Sequence, residues 1–132
     1  MIYLLDTCVV SDYLKGNQAV LKKASELYSH DVAISVITDF EIEFGFYKNP
    51  NSRQKYEVAK STFCNEINVI PVTQEISVIA AKIRADLAIK GTPIGPYDLL
   101  IAATAKAHGL VLVTSNQAEF ARIDGLQTED WR

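Results

Sequence analysis

The chain has 132 residues, 48% of them hydrophobic and 22% charged, a composition that suits a single hydrophobic core over residues 1–132 and excludes intrinsic disorder. Sixteen acidic against thirteen basic residues leave a formal net charge of −3, which excludes a uniformly basic nucleic-acid binder. An acidic protein can still act on a polyanion when a divalent cation stands between its carboxylates and the phosphate, because the ion then dominates the local field.

Ile2 to Leu5 is a short apolar run without polar alternation, the pattern of a strand buried on both faces of a parallel sheet, and Asp6 ends it. Val20, Leu21, Ala24, Leu27 and Tyr28 recur at helical spacing, and Val32 to Val36 predicts a second strand. Ile37, Phe40, Phe44 and Tyr47 mark a helix that Asn49-Pro50-Asn51 ends, and Ser52 to Glu66 predicts a more polar one. Val69 to Val72 reads as the third strand. Ile76, Ile79, Ala80, Ile83 and Leu87 then share one face of a long helix capped by Thr73 and stopped by Gly91. Pro96 occupies a good first position for a helix running to about His108, which Gly109 closes. Leu110 to Val113 predicts a fourth strand, Asn116 to Phe120 a short helical turn, and the segment near Leu126 an edge strand. Strands and helices alternating throughout imply an α/β fold, a parallel sheet flanked by helices.

Cys8 and Cys64 have neither metal-site spacing nor the density of a secreted scaffold, so both are expected to be thiols in a reducing compartment. The apolar start lacks a basic flank and Asp6 interrupts it, so neither a signal peptide nor a membrane span is expected, and the expected location is cytoplasmic.

Ligands of open α/β sheets bind at the carboxyl ends of the strands, and four acidic residues lie there or interrupt an apolar face. Asp6 ends the first strand, Glu41 lies among Ile37 and Phe44, Asp98 opens the helix containing Leu99 to Ala102, and Glu119 follows the last long strand. Each also has a plain structural explanation. Asp6 or Thr7 suits a helix N-cap, Asp98 at the third helical position complements the helix dipole, and Glu119 suits a surface turn. Glu41 is harder to explain this way, because a carboxylate on the Ile37/Phe44 face carries a desolvation cost that a cation would have to offset. Glu43, roughly 200° further around the helix, belongs with Asp39 on the wetter side and is expected to be solvated. If the four acids converge, a hard divalent cation would neutralise them, and oxygen-only ligation suits Mg²⁺ or Mn²⁺.

Taken in order, these segments resemble the PIN-domain ribonucleases and, among them, the VapC toxins of bacterial toxin–antitoxin pairs. The resemblance runs through Leu4-Leu5-Asp6-Thr7, Ile34-Ser35-Val36-Ile37-Thr38 with Glu41 and Gly45, the run Gly91 to Asp98, Leu99 to Ala103, Leu112-Val113-Thr114, Glu119-Phe120 and Glu129-Asp130-Trp131. It implies a Rossmann-like parallel sheet, with Asp6, Glu41 and Asp98 matching the family's acidic metal site and Glu119 its more variable fourth acid. It also implies hydrolysis of RNA with one or two Mg²⁺ or Mn²⁺ ions, a VapB-type antitoxin whose tail covers the groove, and a homodimer. Cys8 stands where the motif usually has Asn, and Asn116 where some members carry an acid. Cys8 is read as a small side chain at a helix start, not as a nucleophile, since neither His30 nor His108 has an evident pairing context. Thr7, Thr114 and Asn116 are secondary candidates for contacts to water or phosphate.

Lys48, Arg53, Lys55 and Lys60, interleaved with Tyr47 and Tyr56, are candidates for tracking RNA phosphates, against the reading of a solvated helix face. An aspartyl-phosphate phosphatase would want Asp where Cys8 stands, and a phospho-receiver would want an acidic pair that the chain lacks. A degenerate domain that only binds RNA or antitoxin is the non-enzymatic alternative, and retention of all four acids speaks against it.

Overall fold

The apolar tetrapeptide at the start becomes the central strand of a five-stranded parallel sheet. In the computed structural model, which describes residues 1–132, Tyr3–Leu5 (β1) pairs with Val32–Ser35 (β2) on one side and Val111–Val113 (β4) on the other. Asn68–Ile70 (β3) and Thr128–Glu129 (β5) form the edges, giving the order β3-β2-β1-β4-β5. The chain therefore builds outward from β1 in one direction, then returns to add β4 and β5 on the other side. The reversal places a topological switch point between β1 and β4, and open α/β sheets bind their ligands beyond the carboxyl ends of the strands at such a point.

The helices begin and end where local chemistry directs. Thr7–Leu14 (α1) follows β1 directly, and Gln18–Ser25 (α2) starts at the Asn17 cap, two residues before its first apolar position. Val36–Lys48 (α3) is capped by Ser35, and Asn49 both closes it and, through Oδ1, caps Pro50–Glu66 (α4). Gln74–Ile89 (α5) has the Thr73 hydroxyl accepting from the Ile76 N–H at 3.2 Å. Pro96–His108 (α6) ends at Gly109, whose φ of 64° is a left-handed conformation that costs glycine least. Gln117–Phe120 (α7) is a single turn. The third strand stops at Ile70 because Pro71 has no N–H to extend the ladder, and the last strand lies at Thr128–Glu129, beyond Leu126.

Alternation along the strands divides the core into two layers. Leu4, Ala33 and Leu112 face α5 and α6, where they pack with Ile76, Ile83, Leu87 and Ile101. Leu5, Ile34 and Val113 face α1, α2 and α4, packing with Val9, Val20 and Phe63. Leu4, Leu5, Leu112 and Val113 are at most 1% exposed, so each strand leucine contributes about 1.5–3 kcal/mol of apolar burial and holds the acidic strand ends in fixed positions. One apolar stripe does not join the core. Phe40, Phe44 and Tyr47 are 47%, 57% and 77% exposed, because α3 meets the sheet and α4 through Thr38, Ile42 and Phe46 instead. No helix is long and apolar enough to cross a membrane.

Candidate active site

Asp6 leaves the end of β1 with its backbone N–H still paired to the Val113 carbonyl at 2.9 Å, so the sheet itself positions it. It is the N-cap of α1, and Oδ1 accepts from the Thr7 N–H at 2.8 Å. Capping occupies only that oxygen. Oδ2 accepts from the Thr114 hydroxyl across the switch point at 2.8 Å and, more weakly, from the Cys8 thiol at 3.6 Å. Capping α1 therefore leaves the second oxygen of Asp6 for other partners, and the residue is 6% exposed. Thr114 is fully buried and its hydroxyl oxygen also accepts from the Asn116 N–H at 3.0 Å, which fixes the direction of its own donation.

Glu41 sits one turn into α3, half-buried, with Oε1 accepting from the Thr7 hydroxyl at 2.7 Å. Glu119 in α7 accepts from the Asn116 side-chain amide. Asp98 is the third residue of α6, behind an N-cap, Gly95, that has no side chain to bond the helix end. Burial first, then the charges of Asp6, Glu119 and Glu41, push the Asp98 carboxyl up to about 6. Those three charges come from a strand end and two further helices, so the four acids share one electrostatic neighbourhood.

None of the four pairs with a lysine, arginine or histidine. Nor are any three acidic, histidine or cysteine side chains already drawn into a cage around one point. Three of the four carboxylates instead accept from neutral donors: Asp6 from Thr114, Glu41 from Thr7 and Glu119 from Asn116. The donor set fits a hard divalent cation: carboxylate oxygens, partial burial and uncompensated negative charge.

The basic candidates separate into two pairs. Lys60 lies 2.5 Å from Asp39 and 2.9 Å from Glu43, and Arg53 lies 3.1 Å from Glu43 and 3.5 Å from Glu57. These two side chains lock α4 to α3. Burial alone would lower the Lys60 ammonium, but its hydrogen bonds to Asp39 and Glu43 outweigh that and hold it above its ordinary range. The Lys60 hydrogen bond likewise holds Glu43 below the usual carboxylate range against its own burial. Glu43 is thus on a different face from Glu41, as helix geometry requires, but it is neutralised by ion pairs and not merely solvated. Lys48 and Lys55 are exposed, with their ammonium groups 6.0 Å and 5.6 Å from the Phe44 and Tyr56 ring centres. Cys8 does more than fill space: Ser115 donates to its sulfur at 3.3 Å, adding a link to Asp6 that no local pattern signals.

A model of the PIN domain matches residues 3–126. The chain belongs to the PIN-domain family. Among relatives of this PIN domain, a tRNA(fMet)-specific endonuclease VapC of Salmonella typhimurium is 35% identical over 98% of the chain and 97% of its own length. The corresponding Shigella flexneri protein is 33% identical over the same shares. Among solved structures, DNA-bound VapBC from Salmonella typhimurium superposes with a TM-score of 0.91 at 34% identity, covering 100% of this chain and 99% of the other. VapBC2 of Rickettsia felis, bound to a DNA fragment from its promoter, gives 0.90 at 30% identity with both chains covered in full. The Rossmann-like parallel sheet expected of a PIN domain is the one observed, and the family is one of nucleases by the names its relatives carry.

Proposed function

We propose that this PIN domain, residues 1–132, is a divalent-metal-dependent endoribonuclease, the toxin of a VapBC-type pair, hydrolysing phosphodiester bonds in structured RNA such as tRNA in the cytoplasm. The observation that carries the reading is the coupling of four acids at the switch point with no cation of the protein's own, seen in the raised Asp98 carboxyl. The similarity to VapC endonucleases over 98% of the chain supports it.

Asp6, Glu41, Asp98 and Glu119 would hold one or two Mg²⁺ or Mn²⁺ ions. The chemistry such an ion would supply is a lowered pKa for water and an offset to charge on the attacked phosphate. Asp6 is the most rigid of the four: bonds from Thr7, Thr114 and Cys8 leave its carboxylate little freedom, so it sets the geometry to which the others adjust. Thr7 and Thr114 act through Glu41 and Asp6, as positioning residues. Burial and then the surrounding charges hold the Asp98 carboxyl up to about 6, and a cation bound there would favour its ionised form by offsetting those charges.

The partners we assign are an RNA substrate and a VapB-type antitoxin. A second copy of the chain is the assigned occupant of the apolar stripe, where Val36, Phe40 and Phe44 lie exposed and Phe40 meets Tyr97 edge-on at 5.3 Å. Sequencing RNA ends after brief induction without antitoxin, alongside cleavage of bulk tRNA by the purified chain in Mn²⁺, Mg²⁺ or EDTA, tests the reading. Cleavage at defined sites, lost in EDTA, is expected. Folded protein that binds RNA and never cuts it would identify a degenerate domain.

A further inference from the structure

A cavity of about 250 Å³ begins at Thr7 and Glu41 and runs away from the other acids between α1, α3 and α4. Lys15, Gly45 and Tyr56 line it beyond those two. Lys15 is exposed and has no carboxylate partner, unlike Arg53 and Lys60 nearby. Gly45 is the informative residue. It lies inside α3, where glycine is a poor helix former, and it adopts no left-handed angle that would call for one. A Cβ built on it meets nothing within 4 Å. Neither backbone conformation nor packing within the chain asks for glycine at this position, so the space above it is what glycine preserves.

We propose that this cavity is a nucleotide subsite, receiving one unpaired base of the substrate RNA adjacent to the cleaved bond, with Tyr56 as its aromatic partner and Lys15 as the contact to its phosphate. Unpaired RNA is read in this way, by stacking and a basic rim, and the cavity has room for one planar base. Because Thr7 and Glu41 belong to both the cavity and the acid cluster, a base seated here leaves its neighbouring phosphate at the carboxylates. The inference rests on the nuclease reading and adds the position of the substrate.

The test uses the full chain, isotope-labelled, titrated in Mg²⁺ with each of the four nucleoside 5′-monophosphates and with inorganic phosphate as control. At least one nucleotide should shift the amides of Lys15, Gly45 and Tyr56 saturably, and phosphate alone should not shift Gly45. Gly45→Leu fills the cavity and should abolish the response, while Tyr56→Ala should weaken it about tenfold, the loss of one base–aromatic stack. Gly45→Ala guards against a folding artefact: it should melt higher than wild type, as expected of alanine in a helix, and yet bind nucleotide more weakly. RNA cleavage by Gly45→Leu should fall about tenfold or more with Mn²⁺ affinity, read by calorimetry, unchanged.

Wild-type nucleotide binding and cleavage in Gly45→Leu would overturn the proposal, as would failure of all four nucleotides to bind the wild type. Loss of antitoxin binding alone in that variant would also overturn it and give the cavity to a protein partner. Should the folded wild-type chain cut no RNA, the nuclease reading falls, and should Asp98→Asn cleave normally, the acid site falls; in either case the nucleotide titration still decides the cavity.

Discussion

Helix α3 carries two glutamates two residues apart that meet opposite treatment. Glu43 faces α4, where Lys60 and Arg53 supply positive charge at 2.9 and 3.1 Å. Glu41 faces the strand ends, where its company is Asp6, Asp98 and Glu119 and its only close donor is the Thr7 hydroxyl. When this chain uses carboxylates to hold itself together it provides their counter-ions from within. At the switch point it provides none, and the resulting repulsion is a cost that a structural cluster has no reason to carry. The contrast separates a stabilising ion network from the cluster that we propose takes an external cation.

The largest expected effects come from breaking the uncompensated side. Asp6→Asn and Asp98→Asn should each lower RNA cleavage by about a thousandfold or more while leaving a folded chain, since members of a catalytic unit fail together. Glu41→Gln should do the same and Glu43→Gln should not; equal loss from both, in cleavage assays of folded protein, would remove the distinction between the two faces. Thr114→Val keeps the shape of the side chain but deletes the bond to Asp6, and should reduce Mn²⁺ affinity and cleavage about 10- to 100-fold, the range for partners that orient a ligand. An unchanged calorimetric affinity would mean that Asp6 needs no such support.

The compensated side should respond in stability. Lys60→Met leaves Asp39 without its partner and should cost about 2 kcal/mol, between the values for exposed and buried pairs, with cleavage per folded molecule retained. A loss of RNA affinity with no change in denaturation midpoint would instead return Lys60 to the phosphate-binding candidates. Lys55→Ala, at an exposed and unpaired position, should have the converse signature, weaker RNA binding with a shallower salt dependence and no change in stability.

The smallest effect concerns pH. The folded, metal-free chain holds a proton on Asp98 up to about pH 6, whereas the unfolded chain releases it in the ordinary carboxylate range. Between those limits the folded state binds more protons, so stability contributed by the protonated form is present at low pH and is lost as the pH rises through about 6. Allowing for solvent screening, the loss is about 1 kcal/mol, a few degrees in melting temperature. In EDTA, Asp98→Asn should therefore melt above wild type at pH 7 and with it at pH 4, and Mn²⁺ should raise wild type more than the variant. A melting difference independent of pH would show that Asp98 is not the group under strain.

Much of this was legible in the residues. Pro96 and Gly109 bracket α6 at both observed ends, Thr73 caps α5, and the angular separation of Glu41 and Glu43 follows from their two-residue offset. Capping also correctly located Asp6, although capping and site membership turned out to be compatible because a carboxylate has two oxygens. The stripe of Phe40 and Phe44 looked like a core face, since an amphipathic pattern identifies a face without saying what covers it. Lys60 looked free because its partners lie 17 and more positions away, on another helix. The Ser115–Cys8 contact spans 107 positions and had no signal at all.

Residue order alone establishes the elements, their boundaries to within a few residues, the alternation that implies a parallel sheet, and which acids stand at strand and helix ends. Those properties depend on periodicity, caps and breakers, whose physics acts within a turn or two of the chain. The packing of distant segments settles which acids share a field, which other acids Lys60 and Arg53 neutralise, and that the space over Gly45 stays open. Strand order does this: by returning to lay β4 against β1, the chain brings Thr114 to Asp6 across 108 positions. Charge coupling is set by that distance in space, for which separation along the chain gives no measure.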